Sequence, residues 1–600
     1  MPLVVFASNW HYLCVELLLD LLQNKGGIVM RNTVSIFIFS IIIVFSSCQK
    51  KDSSDDPVLI ESMDQLVVDE NFNWTSGIKG KLEINFINRF NVSTEKEVIN
   101  IIDEDANVIK RARIANGTVS FNIDLPLNAQ YYVQFPVTGD EVLITSTGTM
   151  EIELGPTSTA TSGLKSVAIE NCTTCDNPIE NAGGELPVIN VNYTLKHEND
   201  VPGWETTASD NKIEIWTSGF QGVAAQEGQQ FFELNANMVA DLYQELCLEP
   251  GYTIMWSVWH RGRAGVDVAE VKIGETVATA VVQETMSDGN TAWGNYTGSY
   301  TVPEGQSTTF FVFTSVSSAG SPSVGNFLDN FEVECDYDGD GIPDDEDDDP
   351  GNEEVSFISY FPTSGKQVVA FEDLWPSTGD FDFNDLTMSN QVVINKDEDF
   401  DLLSADFKVS IDAIGASIHN GIGMMLYDSD GNSFSENIIS SVEGDVTLDS
   451  ENTNGLILTN DVFEAIDEYY QNNGSGPTKT PDTLRFTITF NSNAEEFIPE
   501  LYIFRSADRS YEIHRSDFPT TAAADLSLFN TVDDDGHYKT SNGLPWGIEI
   551  ILDGQYKSPR EKVDMVLAYP QFQLWATSSG SENVTWYNSP VDANVLDILE

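Results

Sequence analysis

Positive charge is what this chain has least of. Twenty-nine lysines and arginines stand against 95 aspartates and glutamates, a formal net charge of −66. Such an excess repels phosphate backbones and excludes nucleic acid as a partner class. Histidine is scarcer still, with six residues, none in an H-E-x-x-H or a His/Cys zinc spacing. No G-x-S-x-G and no Cys/His pair in a reactive context occurs, so the chain reads as non-catalytic. Six cysteines in 600 residues are too few for a disulfide scaffold. What is present can fold: 41% of residues are hydrophobic and 10% aromatic, which rules out wholesale disorder. The length suits roughly three or four domains.

The apolar run Val34–Phe45 is too short to span a bilayer comfortably but fits a signal-peptide core, with Arg31 ahead of it. It leads into Phe45-Ser46-Ser47-Cys48. This resembles the lipobox of bacterial lipoproteins, which implies lipidation at Cys48; an uncleaved anchor or ordinary signal peptide is the alternative. Met30 is then the expected start, with 1–29 an over-extended beginning and 30–48 the signal peptide. The QKKDSSDD that follows resembles the export signal of Bacteroidetes surface lipoproteins, implying the outer face of the outer membrane. Residues 49–70 read as an acidic tether.

Between 71 and 155, short alternating segments (KLEINFI, EVINIID, VSFNIDL, YYVQF, EVLITS, MEIEL) are separated by turn signals such as Asn116-Gly117. The pattern predicts a small β-sandwich of immunoglobulin-like shape, best taken as a spacer. Residues 156–185 are rich in Ser, Thr and Gly and read as a linker; their Cys172-Thr-Thr-Cys175 lacks the βαβ setting of a redox motif.

From 186 to 335 the chain becomes aromatic and glycine-rich: VPGW, IEIW, FELNA, EPGYTIMWSVWHRGR, WGNYTGSY and FLDNF follow in turn. This order resembles the galactose-binding-like jelly rolls of carbohydrate-binding modules. The resemblance implies a glycan site. Its candidates are Trp204, Trp216, Trp259, Arg261, Arg263 and Trp293, because exposed aromatic faces stack on sugar rings. Burial in the core is the alternative for each tryptophan. In Trp256-Ser-Val-Trp259, strand alternation sends the two tryptophans to opposite faces. Cys247 and Cys335 are candidates for a disulfide closing the module.

Residues 336–352 begin Asp336-Tyr-Asp338-Gly-Asp340-Gly341-Ile342-Pro-Asp344-Asp-Glu-Asp347. Taking Asp336 as position one, acids fall at one, three, five, nine and twelve, a glycine at six and the Ile342 carbonyl at seven. Calcium takes six to eight hard oxygens, and this spacing wraps them around one ion. The segment resembles a thrombospondin type 3 repeat, which implies Ca2+ held by Asp336, Asp338, Asp340, Ile342, Asp344 and Asp347. An acidic solvated linker is the bland alternative.

From 353 to 600, separate motifs (AFEDLWP, GDFDFND, EIH before FPT, LPW, PREK, AYPQF) resemble the LruC-type domain of Bacteroidetes surface lipoproteins. Strand-like DFKVSIDAIGA, LRFTITF and WGIEIIL imply a further β-sandwich. Glu372, Asp373, Asp380, Asp382, Asn384 and Asp385, with Asp534, form a second metal candidate; a solvated acidic turn is the alternative. Mutually repelling carboxylates suit a cation better than an acid/base pair.

The fold class expected is therefore all-β, tandem β-sandwiches joined by linkers. The function expected is a surface lipoprotein acting as a calcium-dependent binding or adhesion protein, for glycans. A glycosidase with accessory modules and a purely structural matrix protein are the alternatives.

Overall fold

The computed structural model describes residues 60–87, 98–115, 117–136, 140–153, 179–444, 446–465, 482–491 and 494–596. Every described residue belongs to one compact unit, Ile60–Glu600. Cys48, the signal-peptide run and Cys172/Cys175 lie outside the described residues. Among the described residues no helix is long and apolar enough to cross a membrane.

The architecture is all-β, in tandem sandwiches. The first pairs a three-stranded sheet with a four-stranded one. Ile78–Ile87 is central in the former, antiparallel to Thr118–Leu125 and parallel to Gly148–Glu153. Val98–Asp103 and Tyr131–Phe135 form the centre of the latter. Alternate residues Leu82, Ile84, Phe121, Ile123, Val133 and Phe135 turn inward and meet in one core. Asp103 closes the turn to the next strand by accepting from the backbone of Asp105 and Asn107.

The second module is a jelly roll of two antiparallel sheets. Six strands run in the order Gly294–Thr301, Thr253–Arg261, Phe327–Asp336, Gln230–Glu233, Lys212–Thr217, Tyr193–His197. Five face them: Glu205–Thr206, Asp241–Leu246, Thr309–Ser317, Asp267–Gly274, Val281–Asp288. Trp204, Trp256, Phe232, Phe311, Phe313 and Phe331 fill the space between. Residues 179–185, taken above as the end of a linker, belong to this module. Ile179 joins its core, and Glu180 N donates to Gln244 Oε1 at 2.6 Å.

The C-terminal module packs an eight-stranded sheet on a five-stranded one. Its central strand Asn420–Tyr427 is buried along its whole length. Glycine at 423 is required there, since a Cβ would lie 2.1 Å from the Tyr502 ring. A second apolar layer covers the outer face of Gly547–Leu552 and Lys366–Phe371, built from the short helices Met565–Ala568 and Phe572–Thr577 and from residues far upstream.

Those upstream residues revise the tether expected over 49–70. Met63, Leu66 and Val68 are buried in the C-terminal module, and so are Phe72 and Trp74. Trp74 stacks on Phe572 and meets Trp575 edge-on, while its Nε1 donates to Gly543 O at 3.1 Å. Thr75–Ser76 then pairs in parallel with Glu549 and Ile550, as an edge strand of the eight-stranded sheet. From residue 60 the chain thus passes through the C-terminal module, leaves for the sandwich and jelly roll, and returns. An amphipathic run of seventeen or so residues contains no local sign of that, because its partner faces lie hundreds of residues away.

Candidate functional site

The loop that leaves the jelly roll at Asp336 folds on its own carboxylates. Asp336 accepts from Gly339 N at 2.7 Å and Gly341 N at 3.2 Å, and Asp340 accepts from Ile342 N at 2.8 Å. Gly339 and Gly341 have φ of 84° and 100°, the left-handed region that glycine enters without strain. One carboxylate oxygen from each of Asp336, Asp338 and Asp340 lies within 4.8 Å of the others. Oxygens on opposite sides of a calcium ion at 2.3–2.6 Å are separated by about 5 Å, so this spacing fits one ion. Asp338 Oδ2 is buried without a hydrogen-bond partner.

Asp344 and Asp347 lie outside that trio. Asp344 accepts from Tyr337 N at 2.6 Å and Asp347 from Asp349 N at 2.7 Å. Burial, with repulsion from Asp340 and Asp338, pushes the Asp347 carboxyl up to about 7. The Ile342 side chain packs with Val98, Phe357 and Phe400. Arg111 of the first sandwich is ion-paired to Asp348, and Ser356 Oγ donates to Asp340. The loop therefore touches all three modules and is not a free linker.

In the C-terminal module, Glu372, Asp380 and Asp382 also bring carboxylate oxygens within 4.8 Å of one another. The expected alternation of Asp380-Phe-Asp382-Phe-Asn384 holds, though not on a strand. Phe381 and Phe383 adopt φ of 52° and 49° in an irregular loop and enter the aromatic layer. Glu372 Oε1 accepts from Phe383 N at 2.8 Å, and Asp382 accepts from Asn384 N at 3.1 Å and Lys562 N at 2.8 Å. Asp373 and Asp385 form an adjoining pair, with Asp373 N donating to Asp385 at 2.8 Å. Burial, then Asp373 beside it, raises the Asp385 carboxyl to about 9. Asn384 is tied to Pro559 O through its Nδ2. Asp534 does not join them. Its oxygens accept from Trp375 Nε1, Asn530 N and Gly536 N, which makes it a turn-forming residue.

The glycan candidates separate by face. Trp204 is a core residue of the jelly roll, in contact with Phe331 and Phe232, and cannot meet a ligand. The other five belong to the opposite side of the six-stranded sheet or its rim. Trp216 is on that side but buried, packed against Phe220 and Phe327 under the Arg263 guanidinium at 4.6 Å. Arg263 is held by Glu233 through two hydrogen bonds of 2.7 and 2.8 Å. Trp259, Arg261 and Trp293 stay partly exposed, and Trp259 is paired across strands with Asp329 and Asn295.

Sequence reasoning missed the acids of this face. Burial raises Glu214 to about 7, reinforced by Glu233, and Asp329 to about 8 while it accepts from Gln226 and Glu227 backbone. Acids alternating with aromatics in IEIW and QFFE were the available signal. A second unforeseen cluster lies in the C-terminal module: His514, fully buried, is held between Glu500 and Glu512 at 3.1 Å each and stacked on Tyr502. Cys247, just past Asp241–Leu246, and Cys335 are both disulfide-bonded.

Residues 401–587, inside the C-terminal module, match a family described as a domain of unknown function (DUF4842). No curated protein matches the chain. Among solved structures, a candidate lipoprotein from Bacteroides ovatus aligns over 66% of this chain and 99% of its own, at 12% identity and a TM-score of 0.31. A xylan-binding domain from Paenibacillus barcinonensis aligns over 24% of this chain and 96% of its own, at 11% identity and a TM-score of 0.19. A family 61 carbohydrate-binding module in complex with β-1,4-galactotriose covers 26% of this chain and 97% of its own, at 17% identity and a TM-score of 0.18. At these scores the likenesses do not establish a shared fold.

Proposed function

We propose that this chain is a lipid-anchored surface protein of the outer membrane that binds glycans for adhesion, with calcium in the 336–347 loop setting the geometry of its modules. The observation that carries the reading is the trio Asp336, Asp338 and Asp340, drawn within 4.8 Å around glycines of left-handed backbone. Like charges at that separation repel strongly in a half-buried setting and are relieved by a divalent cation. Because Arg111 grips Asp348 and Ser356 grips Asp340, an ion there would stiffen the junction of the three modules.

The glycan part of the reading is narrower than the sequence implied. It rests on Trp259 and Arg261 on the open sheet face, with Trp293 at the rim: an aromatic plane and a fork of donors suit a sugar ring and its hydroxyls. The C-terminal module, LruC-like in sequence, would form the head of the protein.

The deciding experiment is a calorimetric calcium titration of the soluble chain beside its Asp338→Asn/Asp340→Asn variant. The native protein should show a site that the variant lacks. Equal binding by both proteins, or none by the native one, would remove the loop from the proposal. A glycan array with and without chelator then tests the ligand class.

A further inference from the structure

We propose a second divalent-cation site, of calcium type, in the C-terminal module, formed by Glu372, Asp380 and Asp382 and independent of the 336–347 loop. Clustered acids alone would not carry this. The decisive observation is Glu372, whose side chain is fully buried and whose Oε2 has no hydrogen-bond partner. Its other oxygen is satisfied by Phe383 N, so the carboxylate is fixed with one oxygen presented to the cluster. A buried, unpaired carboxylate oxygen costs several kcal/mol unless a proton or a cation meets it.

The surroundings supply no cation of their own. Among the described residues, no lysine or arginine forms an ion pair with Glu372, Asp380 or Asp382. Lys562 gives Asp382 its backbone N–H, while its ammonium turns to Glu561. The backbone around the cluster is shaped to leave the oxygens room. A Cβ on residue 379 would come within 1.9 Å of Glu372 Oε2, so glycine there leaves that oxygen in place. Asp380, next in the chain, is exposed and gives an ion a route in from solvent.

The ligand class follows from the donors. Three carboxylate oxygens, with no sulfur or imidazole, select a hard cation. Oxygens within 4.8 Å of one another can all reach a single ion at calcium's metal–oxygen bond lengths of about 2.3–2.6 Å. A bound ion would fasten both ends of one inter-strand loop and, through Asp382, the distant Lys562 segment. Glu372 follows Lys366–Phe371, Asp380 and Asp382 belong to the loop before Leu386–Lys396, and Asp382 also holds Lys562.

The test uses the full soluble chain carrying Asp338→Asn/Asp340→Asn, so that the loop is silent, and calcium alone as the probe. Calorimetry should still detect one site, and calcium should still raise Tm. Adding Asp380→Asn, an exposed change that spares the fold, should weaken that residual binding about tenfold or more, as loss of a metal-supporting group does. Glu372→Gln should abolish it and, having removed a buried charge, should raise Tm in chelator relative to its parent. No residual binding in the loop-silent parent, or residual binding indifferent to Asp380→Asn, would overturn the proposal. Both results leave the loop titration in the native protein to be judged separately.

Discussion

Lys79 Nζ donates to Glu549 Oε2 at 2.7 Å, tying the first strand of the N-terminal sandwich to the last long strand of the C-terminal module. Glu549 is fully buried. Burial alone would raise its pKa, but Arg515 and Lys79 outweigh it and hold the carboxyl well below its usual range. Thr75 and Gln367 also donate to it. Glu549→Gln leaves the buried Arg515 without its paired carboxylate and Lys79 with only Asp124, at 3.9 Å. It should cost about 3–5 kcal/mol in urea unfolding, whereas Lys79→Met should cost less, since Arg515 remains.

The return of the chain makes the C-terminal module depend on its upstream segment. A fragment of 353–600 alone lacks Phe72 and Trp74 and exposes the layer around Phe572 and Trp575. It should bind a hydrophobic dye and melt well below a version with 60–77 rejoined. In the full chain, Trp74→Ala should cost about 3–5 kcal/mol, measured by thermal unfolding.

Calcium at about a hundred times its Kd should add roughly 2.7 kcal/mol per site, read as a rise in Tm. The rise should be reversed by chelator and should shrink in Asp338→Asn/Asp340→Asn. Asp534→Asn should leave the calcium response intact and only lower baseline stability, because Asp534 serves Trp375 and the turn.

Stability should also fall in mild alkali. Burial opposes charge on His514, yet Glu500 and Glu512 outweigh it and lift its pKa from 6.5 to about 9. A raised histidine contributes stability that is complete below pH 6.5 and is lost as pH climbs through about 9. Asp329, raised to about 8 by burial, acts in the same sense. His514→Gln should therefore flatten the decline between those pH values without removing it, as followed by denaturant midpoints.

On the jelly roll, Trp259→Ala should abolish retention on any glycan that the array identifies while leaving Tm nearly unchanged. Trp204→Ala should do the reverse and unfold the module, since that ring fills its core.

The strands of the modules were readable because their alternation is local. VSFNIDL, YYVQF and WGIEIIL match Thr118–Leu125, Tyr131–Phe135 and Gly547–Leu552 nearly residue for residue. The loop carboxylates were readable for the same reason: their spacing is a property of one turn of chain. The glycan candidates were not, because a tryptophan carries no mark of which face it joins. Trp204 and Trp259 look alike in sequence, yet Trp204 packs on Phe232 and Phe331 in the core while Trp259 lies on the outer face of its strand.

The sequence by itself determined the all-β class, the acidic surface and the acid spacing at 336–347, since each follows from composition or from contacts a few residues apart. Tertiary structure decided that residues 60–76 complete the C-terminal sheet, that Glu372 faces Asp380 and Asp382, and that His514 is caught between two glutamates. The first depends on segments hundreds of residues apart meeting in space, and the other two on how one loop and one strand pair fold back within the packing of the C-terminal module.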